Sequence, residues 1–370
     1  MKTYLLKRLF LILPTFLGIT LITFFIIKLT PGSPISVKVQ ASEGLKAQAV
    51  SQEILDQTKK LYGLDVSLPA WYEHWIHQTN QVVFGVSDLE KKNTFRKVSE
   101  SLGENWIQYM RWLKRICLFD FGESFKDHRP VIQKIKEALP ITLTLNLIEI
   151  FIVYFISIPL GVFSALRRES SLDKVITVNL FVLYSLPTFW VATLLIMMFA
   201  SGDHLNWFPV VGYVSDGAEN FPWFKWLGNV AWHLVLPVTC MVYGSFAFLS
   251  RFSRANMLEV IRQDYIRTAK AKGLKNSVVI WKHAFRNALI PLVTLMGTLL
   301  PALMGGSVII EQIFSIPGMG KLGFESVLAR DYPTIMAIAS IEAMLTLVSL
   351  LISDFFYVWV DPRISFEKLS

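Results

Sequence analysis

Long apolar runs separated by polar, often basic, segments dominate this chain. A helix needs about 20 mostly apolar residues to cross the hydrocarbon core of a bilayer. Six stretches meet that length: Leu9–Leu29, Ile141–Leu166, Val175–Ala200, Val230–Ser250, Ala288–Ile310 and Thr334–Val360. Pro159 and Gly161 in the second, and Pro187 in the third, predict bends whose freed carbonyls neighbouring helices satisfy. Between the first two spans lies a polar segment, residues 31–139, with scattered aromatics. Trp106, Tyr109, Met110 and Leu113 recur there at 3- and 4-residue spacing, so the segment reads as largely helical. Its stretch Gly85–Gly103 is rich in charge and serine and reads as a mobile connection. No internal repeat is visible, so the paired halves of many secondary carriers are not expected.

Composition sharpens this into a class. Of 370 residues 53% are hydrophobic and only 17% charged, which points to an all-α integral membrane protein with one modest soluble module. The net charge of +8 reads as the lysine and arginine bias of membrane proteins, not as nucleic-acid binding. Placing the N-terminus in the cytoplasm puts Lys2, Lys7, Arg8, Arg167, Arg168, Lys174, Arg363 and Lys368 inside. The nine basic residues from Arg251 to Arg286 join them. The short outer loops then hold only Lys225, Lys321 and Arg330, so both termini are expected to be cytoplasmic. MKTYLLKRLF resembles the basic region of a signal peptide, but the apolar run after it is too long for a signal core. It is read as a retained first helix. The expected organisation is 1–30 for the N-terminus and first helix, 31–139 extracytoplasmic, 140–360 a five-helix core, and 361–370 a cytoplasmic tail.

Within that core, the loop 251–289 is unusually structured. Leu258, Ile261, Tyr265 and Ala269 fall on one helical face, with Arg254, Arg262 and Lys270 supplying polar surface. Gly273 is placed to stop the helix, and Asn276 or Ser277 to cap the next one. Val278, Trp281, Phe285 and Leu289 repeat the spacing into the fifth span. Alanines at 269 and 271 keep the first helix slim. Two readings stay open on spacing alone: a helix seated in a groove of a partner protein, or an amphipathic pair lying on anionic lipid.

DYIRTAKAKG followed by WKHAFRNALIP resembles the EAA loop of type I ABC importer permeases, in the form used by the dipeptide and oligopeptide family. LTPGSP, YGLDVSLPAWYEHW, FDFGESFKDHRPVIQKIKEALPITLTL, EQIFSIPGMGKLGFESVLARDYP and VDPRI are similar to that family's segments in the same order, and cover nearly the whole chain. SIPLG, WKHAFRNA and VDPRISFE lean toward the branch that imports peptides and microcin C. The resemblance implies six transmembrane helices of the type I importer fold, with a helical extracytoplasmic insertion between helices 1 and 2. It implies a coupling loop at Asp264, Arg267, Thr268, Ala269, Ala271 and Gly273 that docks on an ATPase. Arg267 stands where the general motif has an acid, and Pro291 where its proline comes earlier. The implied partners are a second related permease, two ATPase subunits or domains that use ATP-Mg, and an extracytoplasmic binding protein. The implied location is a bacterial inner membrane. The family's nickel and glutathione importers share these motifs and form the alternative.

The residues themselves carry no nucleotide chemistry. There is no Walker A motif, no H-E-x-x-H and no G-x-S-x-G, so neither a catalytic site nor a bound cofactor is expected. His74 and His77 beside Glu73 have a spacing suited to a metal, but three residues in an aromatic-rich stretch do not define a site. Polar residues inside spans face a cavity or a neighbouring helix. Thr142, Asn146 and Glu149 form one such line, and Glu342, Thr346 and Ser349 another. Asn146, Glu149, Glu342 and Thr346 are the candidate pathway residues, with hydrogen bonds between helices as the other reading of the uncharged members.

Overall fold

The computed structural model describes residues 2–29, 67–84, 89–202, 204–299 and 302–360. Their regular structure is helical, and their extended pairing is one antiparallel bridge between Glu123 and Pro130. In chain order the helices are α1 (Lys2–Leu29), α2 (Ala70–Phe84), α3 (Leu89–Cys117), α4 (Val131–Leu166), α5 (Ser171–Ser185), α6 (Thr188–Phe199) and α7 (Trp223–Ile261). They continue as α8 (Asp264–Ala271), α9 (Asn276–Val278), α10 (Arg286–Leu299), α11 (Ala302–Gly305), α12 (Val308–Ile313), α13 (Met319–Leu328) and α14 (Tyr332–Val360). A π-helical turn, Val279–Phe285, joins α9 to α10.

Among the described residues, four helices are long and apolar enough to cross a membrane unaided: α1, α4, α7 and α14. The expected third span is the pair α5–α6, bent by 96° at Leu186 and Pro187. Proline removes an amide, and the residue before it is pushed out of the helical region. The Tyr243 hydroxyl donates to the Leu186 carbonyl at 2.9 Å, which supplies the partner the broken helix lacks. The expected fifth span, Ala288–Ile310, is interrupted at Gly306 and Ser307, between α11 and α12, and Leu300 and Pro301 lie outside the described residues. Gly305 and Gly306 follow, and Gly306 has φ 63°, a conformation no helix interior holds. The stretch expected as a mobile connection is helical from Leu89 on, and residues 85–88 lie outside the description.

Contacts divide the chain into two units. The larger comprises Met1–Phe16, Gln133–Leu328 and Ile341–Ser370. Its main core joins α4, α6, α7 and α12 around Leu145, Ala192, Leu234, Cys240, Ile310 and Phe314. Arg8 and Asp354 pair at 3.3 Å, tying α1 to α14. The smaller unit comprises Leu17–Ile132 and Ala329–Ser340. There α2 and α3 form a hairpin: Gly103 lies against the Tyr72 ring and Leu68, and Tyr72 donates to the Ser99 carbonyl at 3.0 Å. Buried Asp331 gathers Ser124, the Phe125 amide and Thr334 at 2.5, 2.8 and 2.6 Å, which pins the loop before α4 to the start of α14.

Candidate functional site

Helices cannot approach closely across large side chains, and within a bilayer small residues supply the contact. α4 presents Ser157 and Gly161 to α7, and Ser164 to Asp173 of α5. A β-carbon on Gly161 would stand 2.5 Å from the Ser250 carbonyl oxygen and 2.6 Å from the Ser253 β-carbon. Ser157 donates to the Phe246 carbonyl, and Ser253 to the Ile158 carbonyl, each at 3.3 Å. One end of this seam is an ion pair: Arg254 donates to both Asp173 oxygens at 3.0 and 2.7 Å. Ser164 and the Glu169 amide also donate to that carboxylate, so the buried charge is fully partnered. Further along α4, Glu149 accepts from Ser245 of α7 at 2.8 Å.

Glu149 and Asn146 line two adjoining cavities of about 450 and 340 Å³. The first is walled by apolar side chains, among them Val153, Phe248, Leu249, Leu295 and Leu303. The second includes Thr188, Gly306 and Ser307. Asn146 donates to the Leu303 carbonyl at 2.7 Å, so it also satisfies backbone at the broken fifth span. Glu342 and Thr346 are half-buried on α14 and line neither cavity. The two lines of polar residues are therefore not brought to one place.

The loop 251–289 folds as two helices, with differences from expectation. α7 ends at Ile261, and Arg262 and Gln263 break it before α8 begins. The inward face of α8 is Ile266 and Ala269, while Tyr265 is exposed and accepts a hydrogen bond from Asn287 at 3.0 Å. Ile266 and Ala269 pack with Val162 and Ala165 of α4, Met257 of α7, and Val279, Ala284 and Ala288. Ala269 thus faces this chain's own interior, not an outside groove. Asp264, Arg267, Thr268, Ala271 and Gly273 are all exposed. Gly273 has φ 73°, the left-handed conformation that follows a helix end. The next helix starts after Lys275 with no side-chain cap, so Asn276 and Ser277 do not play the expected role.

Sequence reasoning also missed the buried carboxylate of Glu311. Glu311 of α12 is 1% exposed. It accepts from the Lys321 amide at 2.9 Å and Thr142 at 3.0 Å, with the amides of Gly320 and Ser307 also bonded to it. Thr142 accepts in turn from the Met319 amide at 2.7 Å. β-carbons on Gly306, Gly318 or Gly320 would press on this carboxylate, so the glycines of the PGMG turn let backbone amides close around it. The signal was present as a glutamate followed by a Pro-Gly-x-Gly turn, but the pairing with Thr142 spans 169 residues.

Several apolar helices, a cavity between them and an exposed, packed loop helix are features that a membrane transport permease would use. Residues 157–366 match the family described as binding-protein-dependent transport system inner membrane component. The oligopeptide transport system permease protein AppB of Bacillus subtilis (strain 168) is 36% identical, over 99% of this chain and 100% of that one. The peptidoglycan transport system permease protein YejB of Agrobacterium fabrum is 34% identical, over 100% and 99%. The dipeptide transport system permease protein DppB of Bacillus subtilis (strain 168) is also 34% identical, over 100% and 99%. An inward-facing structure of the MetNI methionine ABC transporter aligns with TM-score 0.47 and 16% identity, over 63% of this chain and 99% of that one. The chain belongs to the family of binding-protein-dependent transport system inner membrane components. It is a permease subunit of an ABC transporter, not an enzyme.

Proposed function

We propose that this chain forms half of the translocation pathway of an ATP-driven importer for peptides or peptide-like compounds. The observation that carries the coupling part is the seating of α8. Ile266 and Ala269 bind it to the ends of α4 and α7, while Asp264, Arg267, Thr268 and Ala271 stay free for a partner. A push on that exposed face moves packed helices rather than a slack loop, which is what a two-state transport cycle needs. The partners are a second homologous permease, two ATPase subunits or domains that hydrolyse ATP-Mg, and an extracytoplasmic binding protein. Both termini and α8 lie on the cytoplasmic side, in line with the basic residues around them.

The relatives named for oligopeptide, dipeptide and peptidoglycan transport support a peptide cargo. Glu149, with Asn146 beside it, gives the cavity an acidic point that suits a peptide's cationic amino terminus. Glu342 and Thr346 belong to the pathway only in a conformation that turns α14 toward it.

Mass spectrometry of the tagged chain, extracted from native membranes in mild detergent, tests the assembly. A second permease and stoichiometric ATPase are expected. A folded chain that elutes alone would defeat the proposal. For the cavity, Glu149→Gln is expected to raise the half-saturating peptide concentration several-fold, with assembly unchanged. Unchanged uptake kinetics in both Glu149→Gln and Glu342→Gln would remove the acidic pathway.

A further inference from the structure

The segment between the first two spans was expected to stand outside the membrane. One contact places part of it deeper. The Tyr109 hydroxyl of α3 bonds with the Thr20 hydroxyl at 3.0 Å and donates to the Leu17 carbonyl at 3.2 Å. Leu17 is the midpoint of the membrane-crossing stretch Arg8–Ile26. At 1.5 Å rise per residue, Thr20 lies about 9 Å inside the Ile26 end. Tyr109 and Thr20 are both almost fully buried, and Phe24 and Trp112 close around the contact. The middle of α3 therefore sits within a side chain's length of hydrocarbon depth.

The rest of α3 is wound about that point. At about 100° per residue, Val98, Leu102, Trp106, Trp112, Leu113 and Ile116 all fall within about 60° of Tyr109. Lys97, Glu100, Glu104, Arg111 and Lys114 lie about 120° or more away. Leu113 and Trp112 are partly covered by α1. Val98, Leu102 and Trp106 point the same way, yet each is more than half exposed. So are Trp71 on the paired helix α2 and, on α1 itself, Ile22 and Ile26. An apolar stripe on the face that enters the bilayer, continuous with the lipid face of a spanning helix, has lipid as its fitting cover.

We infer that α3 is a monotopic helix, embedded in the leaflet at the Ile26 end of α1, with Val98, Leu102 and Trp106 against acyl chains. Lys97, Arg111 and Lys114 face the headgroup and water side, where anionic lipid favours them. Tyr109 is the anchor that sets its depth. Lipid is chosen over a soluble partner because the stripe faces toward the depth of Thr20, where no soluble protein reaches.

The test uses the whole transporter in vesicles of phosphatidylethanolamine and phosphatidylglycerol. Cys117→Ser and Cys240→Ser remove the native thiols, and spin labels are placed in turn at Leu102→Cys, Trp106→Cys and Arg111→Cys. Collision with oxygen is expected to exceed collision with a water-soluble nickel chelate several-fold at 102 and 106, and to fall below it at 111. Nickel access at 102 equal to that at 111 would overturn the inference. So would protection at 102 that appears only when the binding protein is added. The unsubstituted transporter, labelled with a photoactivated acyl-chain probe, gives a second reading free of folding effects. Adducts are expected in the peptide holding Leu102 and Trp106; adducts on α1 without any there would refute it.

Discussion

Asp173 and Glu311, two of the buried carboxylates, hold the larger unit by different chemistry. Asp173 is neutralised by a guanidinium, and removing one partner of a buried pair typically costs about 3–5 kcal/mol because the other charge is stranded. Asp173→Asn is expected to lower the thermal midpoint in detergent by several degrees. Adding Arg254→Leu is expected to recover part of that loss, a coupling that a double-mutant cycle reads directly. Glu311 is instead held by amides and a hydroxyl. Gly318→Ala puts a methyl 2.5 Å from its carboxylate carbon, and a hydrogen bond broken there leaves a buried charge short of donors. It is expected to destabilise the chain by about 2 kcal/mol, measured by the same melt. The pairings at both sites were beyond local reading: Asp173 and Arg254 stand 81 residues apart, and Thr142 and Glu311 169. Glu149 and Asn146 were legible, because a charge in an apolar run needs an explanation wherever it sits.

Local signals served well where local forces decide the element. The apolar runs of α1, α4, α7 and α14 became uninterrupted helices, and Gly273 took the left-handed conformation at the end of α8. They served poorly where tertiary contacts decide. The fifth span breaks because backbone near Gly306 must close over Glu311, a demand that periodicity does not register. The apolar face of α8 was assigned to Tyr265 with Ala269, and the break at Arg262 rotated it to Ile266 with Ala269. That rotation separates two substitutions that look alike on paper. Ala269→Trp forces an indole into a packed cluster and is expected to reduce folded protein in the membrane. Thr268→Trp, on the exposed side, is expected to leave the amount of folded chain unchanged. On the proposed docking of α8, it should cut peptide uptake at least tenfold. Quantified membrane expression beside uptake distinguishes the two, and equal behaviour of both variants would contradict the assigned face.

Across the larger unit, α4 and α7 are joined near Glu149 and at Gly161, and Asp173 of α5 is bound to both through Ser164 and Arg254. Helices fastened in this way move together, so changes of cavity shape fall to α6 beyond the 96° bend and to the segment α10–α12. The π turn at Val279–Phe285 lies between α8 and the segment α10–α12. Winding i to i+5 places an extra residue in the turn relative to an α-helix. Each residue turns a helix by about 100°, so this surplus sets the azimuth of α10. It also makes the π turn the place along this helix where the chain has a residue to spare. Deleting Lys282 is expected to convert it to ordinary α-helix and leave a folded protein in the membrane, as read by expression and melting. Deleting Val293 instead has no surplus to draw on and is expected to abolish both. In the vocabulary of gearing, the π turn is the phase adjuster between α8 and the helices that line the cavity.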